Sequence, residues 1–346
     1  MKKDSKKGEL NVLEIDLAKQ SFQLHGVDEA GQTVLKKKLS RKQLSAFVAQ
    51  LPPCLIGMEA CGGAHHWTRI FKTFGHTVHM MAPQFVKPYV KSNKNDAVDA
   101  AAICEAVQRP SMRFVPEKSI EQQDLQSLHR IRSQLVARRT AQSNQIRGLL
   151  MEYGIVIPKG ISHVRKQLPQ VLEAAGNGLS DLFREVLNEL YQEMVHLDNR
   201  LDAMERKLLA ISAQNEDCQR LLSIPGVGLL TATALVAAMG DISAFKSGRE
   251  LAAWLGLVPR QHSTGGKPTL RGISKRGDSY LRTLLIHGGR TVVRVAHKYT
   301  DRKNRWISEL DQRRGKNISA VAVANKNARI AWALLSKKTT YQAAVA

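Results

Sequence analysis

No apolar run in this chain approaches the roughly 18 residues that a membrane-spanning helix requires. Cysteine is scarce, and the residues present, Cys54, Cys61, Cys104 and Cys218, form no CxxC pair. In a chain of 346 residues that scatter excludes a disulfide scaffold and fits a reduced, cytoplasmic setting. Zinc lacks a half-site too: Cys61 with His65 and His66, or His76 with His79, has no second pair at finger-like spacing. The opening MKKDSKKGEL is basic, but it lacks the apolar core of a signal peptide. Acid is also in short supply. There are 52 Lys and Arg against 30 Asp and Glu, a net charge of +22. From Lys246 onward, 21 basic residues face 5 acidic ones, so +16 of that charge lies in the last 101 residues. A basic excess gathered in one region is the electrostatic footprint of a polyanion binder. With no spanning segment, nucleic acid fits better than anionic membrane.

The length accommodates about two domains, each with its own core. Segments Asn11–Asp16, Phe22–Val27 and Thr33–Leu39 read as strands. Ser40 caps a helix reaching about Leu51, which Pro52 and Pro53 close. CLIGMEA (Cys54–Ala60) is a short apolar run of buried-strand type, and CGG after it opens the helix AHHWTRIFKTFG. HTVHMMAP is a further strand, and SNKND leads into a helix bearing KNDAVDA. Strands followed by strand–helix alternation predict a mixed α/β sheet with crossover helices.

Carboxylates recur at telling places. Asp16 ends the first strand, Glu59 ends a later one, and Asp96 and Asp99 begin a helix beyond the last strand. At i and i+3, Asp96 and Asp99 share a helix face, where like charges repel. They are either acidic residues of a solvated first turn or the two sides of a cation site. Acidic groups at the ends of buried strands are costly unless compensated, and that edge is where ligands sit in open α/β sheets. Converging there, these carboxylates would hold hard divalent cations, most economically a Mg²⁺ pair.

After Pro116 the texture changes. Ser119–Tyr153 is helical and polar, with Leu128, Ile131 and Leu135 at 3/4 spacing among Arg130, Arg132, Arg138 and Arg139. Phe183, Leu187, Leu190, Met194, Leu197, Leu201, Met204, Leu208 and Ile211 step alternately by four and three, a coiled-coil seam. The seam closes either on the preceding helix or on another subunit. IPGVG (Ile224–Gly228) stands between helical runs as a helix-hairpin-helix signature. There Gly226 and Gly228 either let backbone N–H groups approach a phosphate or make a tight turn. A glycine-punctuated basic stretch follows, with a Ser263-Thr264-Gly265-Gly266-Lys267 loop.

EIDLAK (14–19), GMEACGG (57–63), KNDAVDA (94–100), IPGVG, and GLVPRQHSTGGK with ISKRGDSYLR occur in that order over nearly the whole chain. Together they resemble the DEDD transposases of the bacterial insertion-sequence one-ten family, the bridge-RNA-guided recombinases. The resemblance implies a RuvC-like, ribonuclease-H-type domain over residues 8–117, a helical coiled-coil region over 118–215 and a mainly helical C-terminal transposase domain over 216–346. It makes Asp16, Glu59, Asp96 and Asp99 the metal-binding, catalytic tetrad. It also implies a serine that attacks DNA, forming a phosphoserine link. Counting back from Lys275 places Ser263 in that slot, whereas counting forward from Pro259 places Thr264 there; the downstream block matches better and the slot calls for serine, so Ser263 is assigned, with Thr264 the alternative. Lys267, Arg271, Lys275 and Arg276 are expected to meet phosphates. Expected partners are donor and target double-stranded DNA, a guide RNA, and further copies of the chain, as a dimer or tetramer with composite active sites. The rivals are a metal-dependent, junction-resolvase-type nuclease using water, and a nucleic-acid-binding protein without catalysis.

Overall fold

The structure, a computed structural model, describes residues 8–87, 103–265 and 267–342. The chain forms two compact units, Met1–Ser119 and Ile120–Ala346.

The first unit is built on a six-stranded sheet. Its strands are β1 (Val12–Asp16), β2 (Ser21–Val27), β3 (Thr33–Ser40), β4 (Leu55–Glu59), β5 (Thr77–Met81) and β6 (Phe114–Val115). They lie in the order β3-β2-β1-β4-β5-β6. The first three pair antiparallel, β1, β4 and β5 run parallel, and β6 returns antiparallel on β5. The expected strand–helix alternation is therefore observed, while the two-residue β6 is too short to leave a sequence pattern. Helices α1 (Arg41–Val48) and α2 (Ala64–Thr73) cover one face, where Leu13, Ile15, Phe22, Ile56, Met58, Trp67 and Phe71 form the core. The opposite face carries Val12, Val27 and Met81 against Val86 of the short α3 (Pro83–Val86) and Ile103, Cys104 and Val107 of a helical turn at residues 103–107. Such a sheet, covered on both faces, explains why its central strands read as continuous apolar runs. His76 serves this core: its Nδ1 accepts from the Cys54 amide at 3.2 Å.

The second unit is helical apart from one hairpin. Its long helices are α4 (Ile120–Met151) and α6 (Asp181–Gln214), with α5 (Ile161–Glu173) between them. The heptad seam of α6 closes within the chain. Leu197 and Leu201 pack with Leu135, Leu208 packs with Leu125, and Leu187 and Met194 pack with Ile146, Leu150 and the α5 residues Val164 and Leu168. Two arginines that the sequence left among the polar positions of α4 bridge to α6, Arg132 to Glu205 at 2.6 Å and Arg139 to Asp198 at 2.8 Å. Burial opposes the Asp198 charge, but hydrogen bonds from Arg165 and Arg139 outweigh it and hold the carboxyl below its usual range.

Beyond α6 come α7 (Glu216–Leu222), α8 (Leu229–Met239), α9 (Gly248–Trp254), the hairpin strands β7 (Pro259–Thr264) and β8 (Lys267–Ile273), α10 (Ser279–Val295), α11 (Arg302–Arg314) and α12 (Lys316–Lys337). Leu235, Leu251, Leu255, Leu281, Leu285, Ala324 and Ala328 form their shared core. A buried relay ties α4 to this core. His129 Nδ1 lies 3.0 Å from the Tyr280 hydroxyl, its Nε2 lies 3.0 Å from Thr233 Oγ1, and Thr233 donates to the Leu229 carbonyl at 2.7 Å. Because the Thr233 proton is committed, Nε2 is the donor to Thr233, and in the neutral ring Nδ1 accepts from Tyr280. Burial, with Arg132 nearby, pushes the His129 pKa down to about 4.

Two outcomes are expected. Leu201→Ala, at a seam position only 3% exposed, should cost about 2–5 kcal/mol in denaturant unfolding, whereas Leu209→Ala, at 60% exposure, should stay within about 0.5 kcal/mol. For His129 the native pKa of about 4 lies below the ordinary 6.5, so between these values only the unfolded chain binds the proton. This group leaves stability unaffected above pH 6.5 and lowers it progressively toward pH 4, by up to about 3 kcal/mol. The difference in unfolding free energy between wild type and His129→Gln should shrink across that window.

Candidate active site

Asp16 and Glu59 terminate neighbouring parallel strands. The β1–β4 register pairs Val12 with Leu55, Leu13 with Ile56 and Glu14 with Gly57. Continued two residues, it sets Asp16 beside Glu59 at the carboxyl edge of the sheet. Alternation along each strand puts Glu14, Asp16, Gly57 and Glu59 on the face covered by residues 103–107, opposite the core of Leu13, Ile15, Ile56 and Met58. Gly57 permits that cover to come close, since a Cβ there would stand 3.2 Å from Val107 and 3.3 Å from Ile103. Asp16 and Glu59 are both half-buried.

The thiol of Cys61 stands in the field of both carboxylates. Burial pushes it up first, and Glu59 and then Asp16 push it further. Cys61 is exposed, and its thiol points to the Leu17 carbonyl at 3.8 Å. The sequence reading weighed this cysteine only as a zinc ligand. Its place beside the acidic edge follows from the turn after β4, which the sequence signalled only as a Gly-Gly loop. Asp96 and Asp99 lie outside the described residues. The described chain resumes with Ile103, four positions after Asp99. Among the described residues no group of three or more His, Cys, Asp and Glu side chains is arranged to hold a metal. The described part of the expected tetrad is thus a pair of oxygen donors at one sheet edge, of the hard type that suits Mg²⁺.

In the second unit the expected Ser263 loop is instead an antiparallel hairpin. Ser263 and Thr264 end β7 and Lys267 begins β8, with Ser263 opposite Pro268 and Thr264 opposite Lys267. Consecutive strand residues point to opposite faces, so Ser263 and Thr264 are not interchangeable. Gln261 donates to Ser263 Oγ at 2.8 Å, which leaves the hydroxyl hydrogen of Ser263 available to a base.

The root of this hairpin is clamped by backbone. Gly256 has φ +73° and Gly277 φ +81°. A Cβ on Gly256 would lie 2.0 Å from the Arg276 carbonyl oxygen, and one on Gly277 would lie 2.0 Å from that of Trp254. The Lys275 amide donates to Gly256 O at 3.1 Å and the Ser274 amide to Val258 O at 2.8 Å. Arg282 closes the clamp by donating to the carbonyls of Leu255 and Arg276, each at 3.2 Å. Lys275 itself has φ +54°, an uncommon conformation for a side-chain-bearing residue. The exposed Lys275 and Arg276 side chains are therefore presented by a stiff loop.

The two glycines of IPGVG divide in role. Gly226, at φ +89°, packs on α10: a Cβ there would stand 2.8 Å from the Gly288 carbonyl oxygen and 2.6 Å from a Val292 methyl. Gly228 has open space at its Cβ position and precedes the first turn of α8. Of the pair, only Gly228 stands open at a helix N-terminus.

The clamp makes a specific prediction. Gly277→Ala should destabilise the second unit by at least about 2 kcal/mol, combining left-handed backbone strain with a clash against backbone. Gly272→Ala, whose Cβ would meet nothing within 4 Å, should melt like wild type in the same thermal scan.

A family model described as a transposase, DEDD_Tnp_IS110, matches residues 14–155, and a second, described as the transposase IS116/IS110/IS902 family, matches residues 218–305. The chain is 52% identical over 334 residues to a probable family 20 transposase of Pseudomonas aeruginosa, covering 96% of this chain and 99% of that one. It is 49% identical to the transposase for insertion sequence element IS1111A of Coxiella burnetii, covering 96% and 92%, and 43% identical to that for IS1328 of Yersinia enterocolitica, covering 96% and 98%. The acidic edge falls within the first matched segment and the serine hairpin within the second, and the chain belongs to the IS110 family of transposases.

Proposed function

We propose that the chain cleaves and rejoins DNA strands between an insertion-sequence donor and its target, with Ser263 as nucleophile and Asp16, Glu59, Asp96 and Asp99 as the metal-holding tetrad. The observation that carries this reading is the β1–β4 register, which brings two carboxylates from distant sequence to one sheet edge. The oxygen-only donor set fits Mg²⁺, most economically two ions. When bound, Mg²⁺ supplies charge that polarises the scissile phosphate and stabilises the departing oxygen.

In the proposed step the Ser263 oxygen attacks phosphorus. A serine–phosphate bond forms, the bond from phosphorus to the deoxyribose oxygen breaks, the serine proton passes to a base or water, and the departing oxygen takes up a proton and leaves as a hydroxyl. The bond energy stays in the phosphoserine ester, so a hydroxyl from a new strand reverses the step without a nucleotide cofactor. The Gln261 amide orients the nucleophile, and the Gly256–Gly277–Arg282 clamp holds the hairpin that carries it. Gly228, Lys267, Arg271, Lys275 and Arg276 meet phosphates, while Gly226 shapes the turn. A guide RNA pairing with donor and target would supply sequence choice. The active site is composite, with serine and carboxylates drawn from different copies in a dimer or tetramer.

The test pairs Glu59→Gln with Ser263→Ala. Each variant alone should lose roughly three orders of magnitude or more of recombination. Wild type and Glu59→Gln differ from Ser263→Ala in retaining the group that can trap DNA covalently. Mixed assemblies of the two variants should recover part of the activity, because some sites then hold both intact halves. Cleavage by Ser263→Ala at the wild-type rate would mean that water is the nucleophile and the chain acts as a nuclease. Assemblies shown to be mixed, yet inactive, would place each site within one copy.

A further inference from the structure

Above its clamped root, the hairpin that bears Ser263 is exposed along its described length. Every described residue from Pro259 to Gly272 is exposed, Leu270 at 67%. A two-stranded hairpin alone in water is marginally stable, so both of its faces are surfaces awaiting something. Register and alternation sort the residues between them. Gln261 faces Leu270 and Ser263 faces Pro268 on one side; His262 faces Thr269 and Thr264 faces Lys267 on the other. Across these four pairs, one face is therefore uncharged and carries the serine. The other holds Lys267 among hydroxyls and an imidazole, while Arg260 and Arg271 lie toward the root, where the register shifts between Pro259 and Gln261, and residues 259–273 contain no acidic side chain.

We infer that this hairpin is a β-ribbon whose His262–Thr264–Lys267–Thr269 face seats in the major groove of double-stranded DNA, leaving the Ser263 face turned away from that groove. The charge is complementary to a polyanion. The shape also fits: strands about 4.8 Å apart make a ribbon that enters the B-form major groove, about 12 Å wide. Duplex RNA is a poor match, because its A-form major groove is deep and too narrow for side chains to read. The root geometry matches as well, since Lys275 and Arg276 stand on the stiff loop where the ribbon leaves the domain, placed to meet the flanking phosphates. A consequence follows for the chemistry. The duplex that the ribbon grips is not the strand that Ser263 attacks; the scissile phosphate reaches the serine from the opposite side.

This inference rests on the reading of the C-terminal unit as a DNA binder, and the test separates the two. In a Cys61→Ser background the remaining native cysteines are buried. Thr269→Cys and Leu270→Cys are then introduced separately, and their maleimide labelling rates are measured with and without short duplex DNA or duplex RNA at low salt. DNA should slow labelling at position 269 roughly tenfold or more, leave position 270 within about twofold, and duplex RNA should protect neither. Tight DNA binding with position 269 labelled as fast as in the free protein overturns the ribbon placement alone. So does equal protection of both faces or equal protection by RNA. Protection of position 270 that rises with protein concentration, without DNA, identifies a second copy as the occupant instead. Failure of the intact protein to bind DNA overturns the ribbon placement and the DNA-binding reading together.

Discussion

The parallel pairing of β1 with β4 is the constraint on which the acidic edge depends. Backbone hydrogen bonds lock the two strands in register, so Asp16 and Glu59 reach the same sheet edge although neither side chain attracts the other. Two like charges brought together this way gain nothing from each other, so it is the backbone pairing that accounts for their proximity. The same alternation buries Glu14 completely, on the face shared with Asp16 and beneath the turn at residues 103–107. Gly57, directly across from Glu14, is the position where the absence of a side chain allows that turn to close over the sheet.

In the second unit, contact between backbones takes over the role that strand register plays in the first. Gly226 meets Gly288, Gly256 meets Arg276, and Gly277 meets Trp254, each so closely that a single added carbon collides with a carbonyl. These contacts sit at the two places where the chain must turn sharply while presenting polar groups outward, the IPGVG turn and the root of the hairpin. A rigid root and an exposed ribbon are complementary features. The clamp determines where the ribbon starts.

The basic excess is likewise divided by tertiary structure. Arg132 and Arg139 are used within the helical pair, and Arg282 is used in the clamp, so these cations bind the protein to itself. Lys267, Arg271, Lys275 and Arg276 stay exposed on the hairpin and at its root. Composition reports only their sum.

Much of this was legible beforehand. Alternating and continuous apolar runs marked the strands of the first sheet, and the four-three steps from Phe183 to Ile211 marked the long helix. These signals are local periodicities, which a linear chain carries openly. The positions of Asp16 and Glu59 at strand ends were readable for the same reason. Other features were not. A hairpin exposed on both faces has no apolar alternation, so β7 and β8 read as a loop. IPGVG reads alike whether its glycine approaches a phosphate or another backbone, because both need only the missing Cβ; three-dimensional packing assigned Gly226 to Gly288 and left Gly228 open. The heptad seam could close within the chain or outside it until α4 was found against it. The sequence by itself determined the periodic helices, the longer strands of the first sheet and the acidic and basic residues available, since these depend on spacing along the chain. Only the tertiary structure decided which surfaces those elements cover and which face of the hairpin carries the serine, since these depend on pairings between residues far apart.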